Sequence, residues 1–288
     1  MTGGRLVLVG TPIGHEDDWS VRARRVLEEA DLVAAEDTRV ARTRLGRVGI
    51  TPKRLVSLHD HNERQRAPQL VQAIEEGQCV AVISDAGMPL VSDPGYRLVR
   101  SVIDADLEVD VVPGPSAVLA ALALSGLPPD RFAFLGFPPR TAARRRSWLG
   151  EVVDLEMTAV LFEAPHRLLK TLEDIDTVFG DRQLCVAFSL TKVWQRVRRG
   201  TASECLARFA EDPDDVKGEV TLVIAGAPAR AAGLGEDVEE LVDRLATAGV
   251  SPGLIRDAVS GAMGAPRREV YQRALAAGTV RKEESGDS

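Results

Sequence analysis

Three stretches of this sequence combine glycine, proline and small polar residues in a way that could hold a small molecule. They are Gly10-Thr11-Pro12-Ile13-Gly14-His15, Ser84-Asp85-Ala86-Gly87-Met88-Pro89 with Ser92-Asp93-Pro94-Gly95, and Pro113-Gly114-Pro115-Ser116-Ala117. Glycine lets backbone approach a ligand closely and proline holds the loop rigid. Such loops suit an adenosine-bearing molecule gripped by main-chain amides and carbonyls. One alone would be ordinary turn chemistry, whereas several converging on one sheet edge point to a ligand cleft. Further polar groups stand at Glu36 to Arg39, His59 to Glu63, Glu163 to Arg167, and Thr191-Lys192. Asp37 before Thr38 reads as a helix cap. His61 and His166 are harder to explain as caps and stand where a proton acceptor would serve.

Other chemistries are excluded by spacing. Gly10 and Gly14 do not make the dinucleotide fingerprint, which needs glycine at its first, third and sixth positions. The phosphate-binding Gly-x-x-x-x-Gly-Lys-Ser/Thr pattern and the Gly-x-Ser-x-Gly elbow are both absent. The four histidines show no zinc-binding pattern, so no catalytic metal is expected. The net charge of −7 argues against a polyanion partner for the molecule as a whole. Local fields differ. Arg39, Arg42, Arg44, Arg47, Lys53 and Arg54 fall between Thr38 and Leu58 with no acid among them. Arg140 with Arg144 to Arg146, and Lys192 with Arg196, Arg198 and Arg199, form two more clusters. Each alone is a solvated face; three beside the candidate loops point to a polyanion.

Elements must position these groups. Leu6 to Val9, Asp31 to Ala35, Leu55 to Leu58, Val80 to Ile83 and Val109 to Val112 read as strands alternating with helical patterns. The apolar Val80 to Ile83 run suits the centre of a sheet covered on both faces. An open, mostly parallel sheet follows, whose ligands bind beyond the carboxyl ends of its strands. Ser20 is expected to cap one helix, and Asp93-Pro94 to open another through Leu98. After Pro115 a helix from Ser116 to Ser125 stops at Gly126. Strands then recur at Phe132 to Leu135, Thr158 to Phe162, Leu184 to Phe188, Val193 to Arg199 and Val220 to Ala225, which predicts a mixed sheet. The Ala-, Gly- and Pro-rich segment Gly226 to Gly235 reads as a linker. Three helical patterns follow, at Val238 to Ala246, Leu254 to Met263 and Arg267 to Ala276, and a polar tail from Arg281 reads as disordered. The fold expected is two consecutive α/β domains, 5–116 and 117–228, with a small helix-turn-helix-like module at 236–277. That module reads equally well as a packing or dimerising bundle.

At 288 residues the chain fits two domains. Its 44% hydrophobic and 27% charged residues are those of a globular protein. No apolar run approaches the ~18 residues of a membrane span. Cys79, Cys185 and Cys205 are odd in number and far apart, which suggests buried thiols and a cytoplasmic location.

The ordered motifs then resemble a known family. Gly10 to Gly14, Ala35 to Arg39, His61 to Glu63, Ser84 to Pro89, Ser92 to Gly95 and Pro113 to Ala117 are similar to the tetrapyrrole-methylase superfamily, and within it to the RNA-modifying, small-subunit ribosomal RNA methyltransferase I branch. Ser125 to Pro128, Gly136 to Pro138, Pro165 to Arg167, Leu190 to Lys192 and Lys217 to Glu219 extend the likeness over about residues 5–226. The resemblance implies two α/β domains enclosing S-adenosylmethionine, and 2′-O-methylation of a cytidine ribose in the decoding region of small-subunit rRNA. It also implies a homodimer acting on rRNA or the assembled 30S subunit, without membrane or metal. The sequence departs from the family at His15, at Leu58 to His61, at Trp194 to Arg196, and at Ser189, where a glutamate is usual.

On that resemblance the cofactor falls to Thr11, Pro12, Gly14, Ser84, Asp85, Ala86, Gly87, Pro89, Ser92, Asp93, Pro113, Gly114, Ser116 and Ala117. Methyl transfer to a hydroxyl is helped by a proton acceptor and by a cation at the developing alkoxide. Asp85 and His61 are the candidate acceptors and Lys192 the candidate cation, with Glu36 and Glu163 in reserve. Arg39, Arg144, Arg145, Arg167 and Arg198 are the candidate RNA contacts. Two other readings stay open: a tetrapyrrole methyltransferase, and a non-catalytic rRNA-binding assembly factor.

Overall fold

The computed structural model describes residues 3–211, 216–228 and 234–284. Residues up to Gly226 form one unit and those from Ala227 a second. In the first unit β1 (Arg5–Val9), β2 (Leu32–Ala35), β3 (Leu55–Ser57), β4 (Cys79–Ile83) and β5 (Glu108–Val112) make a wholly parallel sheet in the order β3-β2-β4-β1-β5. Side chains alternate across each strand, so both faces need cover. Val7, Val9, Val33 and Ala35 pack with Ala23 and Leu27 of α1 (Val21–Glu29) and with Ala41 and Leu45 of α2 (Thr38–Arg47). On the other face Leu6, Leu32, Val80 and Val82 meet Leu70 of α3 (Glu63–Glu75) and Leu98 and Val102 of α4 (Tyr96–Asp104). Each fully buried leucine contributes about 1.5–3 kcal/mol.

The strand order sets the position of the site. The connection from β1 leaves towards β2, while that from β4 crosses β1 to reach β5. The two central neighbours therefore send their chains in opposite directions, leaving a crevice at their carboxyl ends. The Gly10 to His15 and Ser84 to Pro89 loops begin there.

Ser20 caps α1 through Ala23 N and Asp37 caps α2 through Arg39 N, as their positions predict. Asp93-Pro94 does not open α4. The helix begins at Tyr96 after Gly95, whose φ of 122° suits glycine, and its free amides are satisfied from outside. Glu63, 5% exposed in the first turn of α3, accepts from Gly95 N (3.1 Å), Arg97 N (2.8 Å) and Leu98 N (3.2 Å). Asp93 is thus left for another role.

The second sheet has the order β6 (Phe132–Phe134), β7 (Thr158–Glu163), β10 (Val220–Ile224), β8 (Leu184–Phe188) and β9 (Arg196–Gly200). The β6–β7 pair is parallel and the other pairs are antiparallel, which gives the expected mixed sheet. β9 begins later than the sequence pattern suggests, because Val193 to Gln195 belong to the preceding turn. One face is covered by α5 (Ala117–Ser125), capped by Ser116 and ended by left-handed Gly126. The other carries α6 (Ala142–Glu151), α7 (Leu168–Phe179) and α8 (Ala202–Glu211). Cys185 and Cys205 are buried and Cys79 partly so, all as free thiols.

In the second unit α9 (Glu236–Thr247), α10 (Pro252–Met263) and α11 (Arg267–Glu284) enclose Leu234, Val242, Ile255, Val259, Val270 and Ala274. Ser251 and Pro252 open α10, two residues before the start that the apolar pattern suggests. The third helix continues to Glu284, past the expected end at Ala276 and through the first residues of the expected disordered tail. The rest of that tail, and residues 229–233 of the expected linker, lie outside the described residues. Among the described residues no helix is long and apolar enough to cross a membrane.

Candidate active site

Thr11 and Gly87 bridge the two central loops. Thr11 N donates to Gly87 O at 2.9 Å and Gly87 N returns to Thr11 O at 3.2 Å. The hydroxyls of buried Thr11 and Ser84 also point at Gly87 O (3.4 and 3.3 Å). Gly10 and Gly114 touch backbone to backbone: a Cβ on Gly10 would lie 2.6 Å from the Gly114 Cα. Thr11, Ser84, Gly10 and Gly114 therefore brace the loops against one another.

Beside them lies a cavity of about 420 Å³, within the ~300–1,000 Å³ range of small-molecule sites. Of the residues expected at the cofactor, Asp85, Ala86, Gly87, Ser92, Asp93, Ser116 and Ala117 line it. Thr11, Pro12, Gly14, Ser84, Pro89, Pro113 and Gly114 are not part of that lining. Pro12 O accepts from Arg44 (3.1 Å), and Gly14 packs on Leu190 O and Thr191 Oγ1 so closely that a Cβ would sit 2.6 Å from each. The opposite wall comes from the second sheet: Phe137, Phe162, Glu163 to Pro165, Leu190 and Gly218 to Thr221.

Carboxylates dominate the electrostatics. Burial pushes Asp93 up to about 7, reinforced by the charge of Glu36 and opposed by a hydrogen bond from Ser84. Asp85 is raised by burial, which outweighs the lowering hydrogen bond from the Asp37 amide, and Glu36 is raised by burial and by the charges of Asp85 and Asp60. Asp85 is held by its carbonyl, which accepts from Arg44, while its Oδ1 faces Asp37 N at 3.4 Å. A cavity edged by strained carboxylates and walled by aromatic and aliphatic side chains fits a ligand carrying positive charge and a flat ring. S-adenosylmethionine, with its sulfonium, ammonium and adenine, has that character.

Backbone strain marks the same place. Among the described residues, four of the five non-glycine residues at positive φ are Leu90 (73°), Ser92 (68°), Ser189 (46°) and Thr191 (63°). All lie in the two loops flanking the cavity. Each costs on the order of 1–3 kcal/mol and persists only where its surroundings over-determine it.

Lys192 is not a lone cation. Its Nζ lies 2.5 and 2.6 Å from the carboxylate oxygens of Glu219. Burial would push Glu219 up, yet the Lys192 hydrogen bond and its own amide hold it below the usual range. Lys192 thus has a carboxylate partner in the residue just before β10, although Ser189 brings none. Ser189 is buried and packs on Gly218, where any side chain would collide with its Oγ. Glu219 escaped the reading of chemically active residues. Its place in the Lys217-Gly218-Glu219 motif was the signal available.

His61 is not gathered in. Asn62 holds the loop by accepting from His59 N (2.9 Å) and donating to Ser57 O (3.2 Å), which leaves His61 exposed and outside the cavity lining. Glu163 lines the cavity but is engaged by its surroundings: Thr171 Oγ1 (2.6 Å) and Ala164 N (2.7 Å) donate to it and Arg167 Nε lies 3.2 Å away. Arg167 also donates to Pro138 O (2.6 Å) and Pro139 O (3.1 Å), so it braces the cavity wall. Arg145 is turned inward. It is 3% exposed and forks onto Asp174 of α7, because the apolar face of α6 carries it into the interior. Arg144 is exposed, Arg198 is half-buried on β9, and Arg39 is exposed while pairing with Asp37 (2.8 Å) and holding that carboxyl well below its usual range.

The comparisons agree with this architecture. A model of the Tetrapyrrole (Corrin/Porphyrin) Methylases matches residues 5–206. The chain is 46% identical over 246 residues to a Ribosomal RNA small subunit methyltransferase I from Mycobacterium tuberculosis, covering 84% of this chain and 85% of that protein. It is 44% identical to the Escherichia coli O157:H7 protein of that name over 224 residues, covering 77% and 78%. Among solved structures, uroporphyrin-III-C-methyltransferase from Thermus thermophilus superposes with a TM-score of 0.53 at 23% identity, covering 77% of this chain and 94% of that one. Another structure of that enzyme, complexed with S-adenosyl homocysteine, gives a TM-score of 0.53 at 19% identity, with 77% and 97% covered. The chain belongs to the tetrapyrrole methylase family, on the branch of the ribosomal RNA small subunit methyltransferase I proteins, and is an S-adenosylmethionine-dependent methyltransferase.

Proposed function

We propose that this protein methylates the ribose 2′-hydroxyl of a cytidine in the decoding region of small-subunit rRNA. The observation that carries the reading is the Lys192–Glu219 pair beside a carboxylate-edged cavity, in a chain whose relatives bear rRNA methyltransferase names. S-adenosylmethionine, when bound, supplies an electrophilic methyl carbon on a sulfonium. The residues lining the cavity, Asp85 to Gly87, Ser92, Asp93, Ser116 and Ala117, hold and orient it, and the carboxylates complement its charge. A ribose hydroxyl is a weak acid and gains from an acceptor for its proton and a fixed cation beside its oxygen. Lys192 is that cation, aimed by Glu219. Asp85, raised in basicity by burial, is the acceptor favoured over exposed His61 and over Glu163, which already accepts from Thr171 and Ala164 and sits beside Arg167.

The test is incubation of the protein with tritiated S-adenosylmethionine and unmodified small ribosomal subunits, with the label mapped by nuclease digestion and mass spectrometry. Label on the 2′-oxygen of one cytidine is the expected result. Label on a base, on another RNA or on no RNA, in a preparation that binds the cofactor, overturns the reading.

A further inference from the structure

The turn between β8 and β9 presents two large apolar side chains to solvent: Val193 is 97% and Trp194 61% exposed. The other two tryptophans are sheltered, Trp19 at 5% exposure and Trp148 against the core of the second sheet. Nothing within the described chain covers Trp194, yet the turn carrying it is firmly built. Thr191 N donates to Gln195 Oε1 (2.7 Å), Gln195 N to Lys192 O (2.9 Å) and Lys192 N to Ser189 O (3.0 Å). Thr191 Oγ1 accepts from His15 N (2.9 Å), which ties the turn to the loop after β1. The same turn begins at Leu190, in the cavity wall, and includes Lys192.

A flat ring on a rigid, strained turn is preorganised, so little ordering entropy is lost when it is covered. Basic groups stand along the same line of contacts: Arg39, Arg42 and Arg47 of α2 are exposed, Arg39 paired with Asp37 (2.8 Å) and Arg47 with Glu16 (3.0 Å) one residue past His15, so a phosphate here would share or displace those carboxylates. Single-stranded RNA is gripped by this combination of cations for phosphates and an aromatic face for a base. We infer that Trp194 is a stacking platform for an unpaired nucleobase of the RNA substrate, and that it sets the ribose at the mouth of the cavity beside Lys192. The inference rests on the proposed rRNA substrate and adds the residue that selects single-stranded over duplex RNA.

The full-length chain and its Trp194→Ala and Trp194→Phe variants test it. A single-stranded oligonucleotide of decoding-region sequence should quench wild-type tryptophan emission, its duplex should not, and the response should vanish in Trp194→Ala. In steady-state assays Trp194→Ala should raise KM for small subunits about 5- to 150-fold, with the Kd for S-adenosylmethionine unchanged. Trp194→Phe, which keeps an aromatic face, should recover most of the loss. An unchanged KM without quenching overturns the platform. So does a wild-type dimer that Trp194→Ala dissociates with no change in RNA affinity, since the occupant is then a second copy of the chain. If the wild type transfers no label to rRNA, the substrate assignment fails instead, and quenching, which needs no turnover, still decides whether Trp194 takes a base.

Discussion

Asp93 has an ordinary carboxylate value of 3.8 in the unfolded chain and about 7 in the folded one. Between those values the folded state holds a proton that the unfolded state has lost, so stability falls as pH rises through that window. Asp93→Asn should abolish this dependence and make the protein more stable than wild type at pH 8, by about 1 kcal/mol after solvent screening. Thermal melts at pH 5 and pH 8 measure it. The functional sign is opposite: an ionised Asp93 attracts the cofactor's cation, so binding should tighten from pH 6 to pH 8. Calorimetric titration should find that dependence gone in Asp93→Asn. At the opposite wall, Lys192→Met should lower kcat by about 10²–10³ with little effect on cofactor affinity, since a cation beside the acceptor oxygen acts in the transition state. Single-turnover methylation separates these effects, and an unchanged kcat would remove Lys192 from the chemistry.

At the scale of elements, the site depends on helices capped by their neighbours. Glu63 joins α3 to α4 by accepting three amides, and α4 follows the loop that carries Ser92 and Asp93. Glu63→Ala should cost about 2–3 kcal/mol in chemical denaturation, because it strands buried donors. Glu63→Gln, which keeps one acceptor oxygen, should cost less. The sequence shows Glu63 within a polar loop, and its range of partners, 32 to 35 residues away, is invisible there. The same limit applies to Arg145. Its position in an arginine run suggests solvent, and only the packing of α6 on α7 reveals Asp174 beneath it.

For the molecule as a whole, the cavity is lined by residues between Ile13 and Thr221, all inside the first unit, while the C-terminal helices have a core of their own. A chain ending at residue 228 should therefore bind S-adenosylmethionine with near wild-type affinity by calorimetry. A large loss would show that the second unit shapes the cofactor site. Methylation of subunits by that truncated chain would then read out whether those helices serve the RNA.

The sequence alone determined the strand runs of both sheets apart from the start of β9, the parallel and mixed character of each, the Ser20 and Asp37 caps, and the loops around the cavity. All of these are written in short-range patterns: apolar runs, capping residues, and glycine or proline at strand ends. Only the tertiary structure decided which side of each loop faces the cavity. It turned Thr11 and Gly114 to bracing, freed Asp93 from capping, left His61 outside, and brought Glu219 to Lys192 across 27 residues. Those outcomes depend on which strands become neighbours and how closely their backbones approach, and no local spacing encodes that.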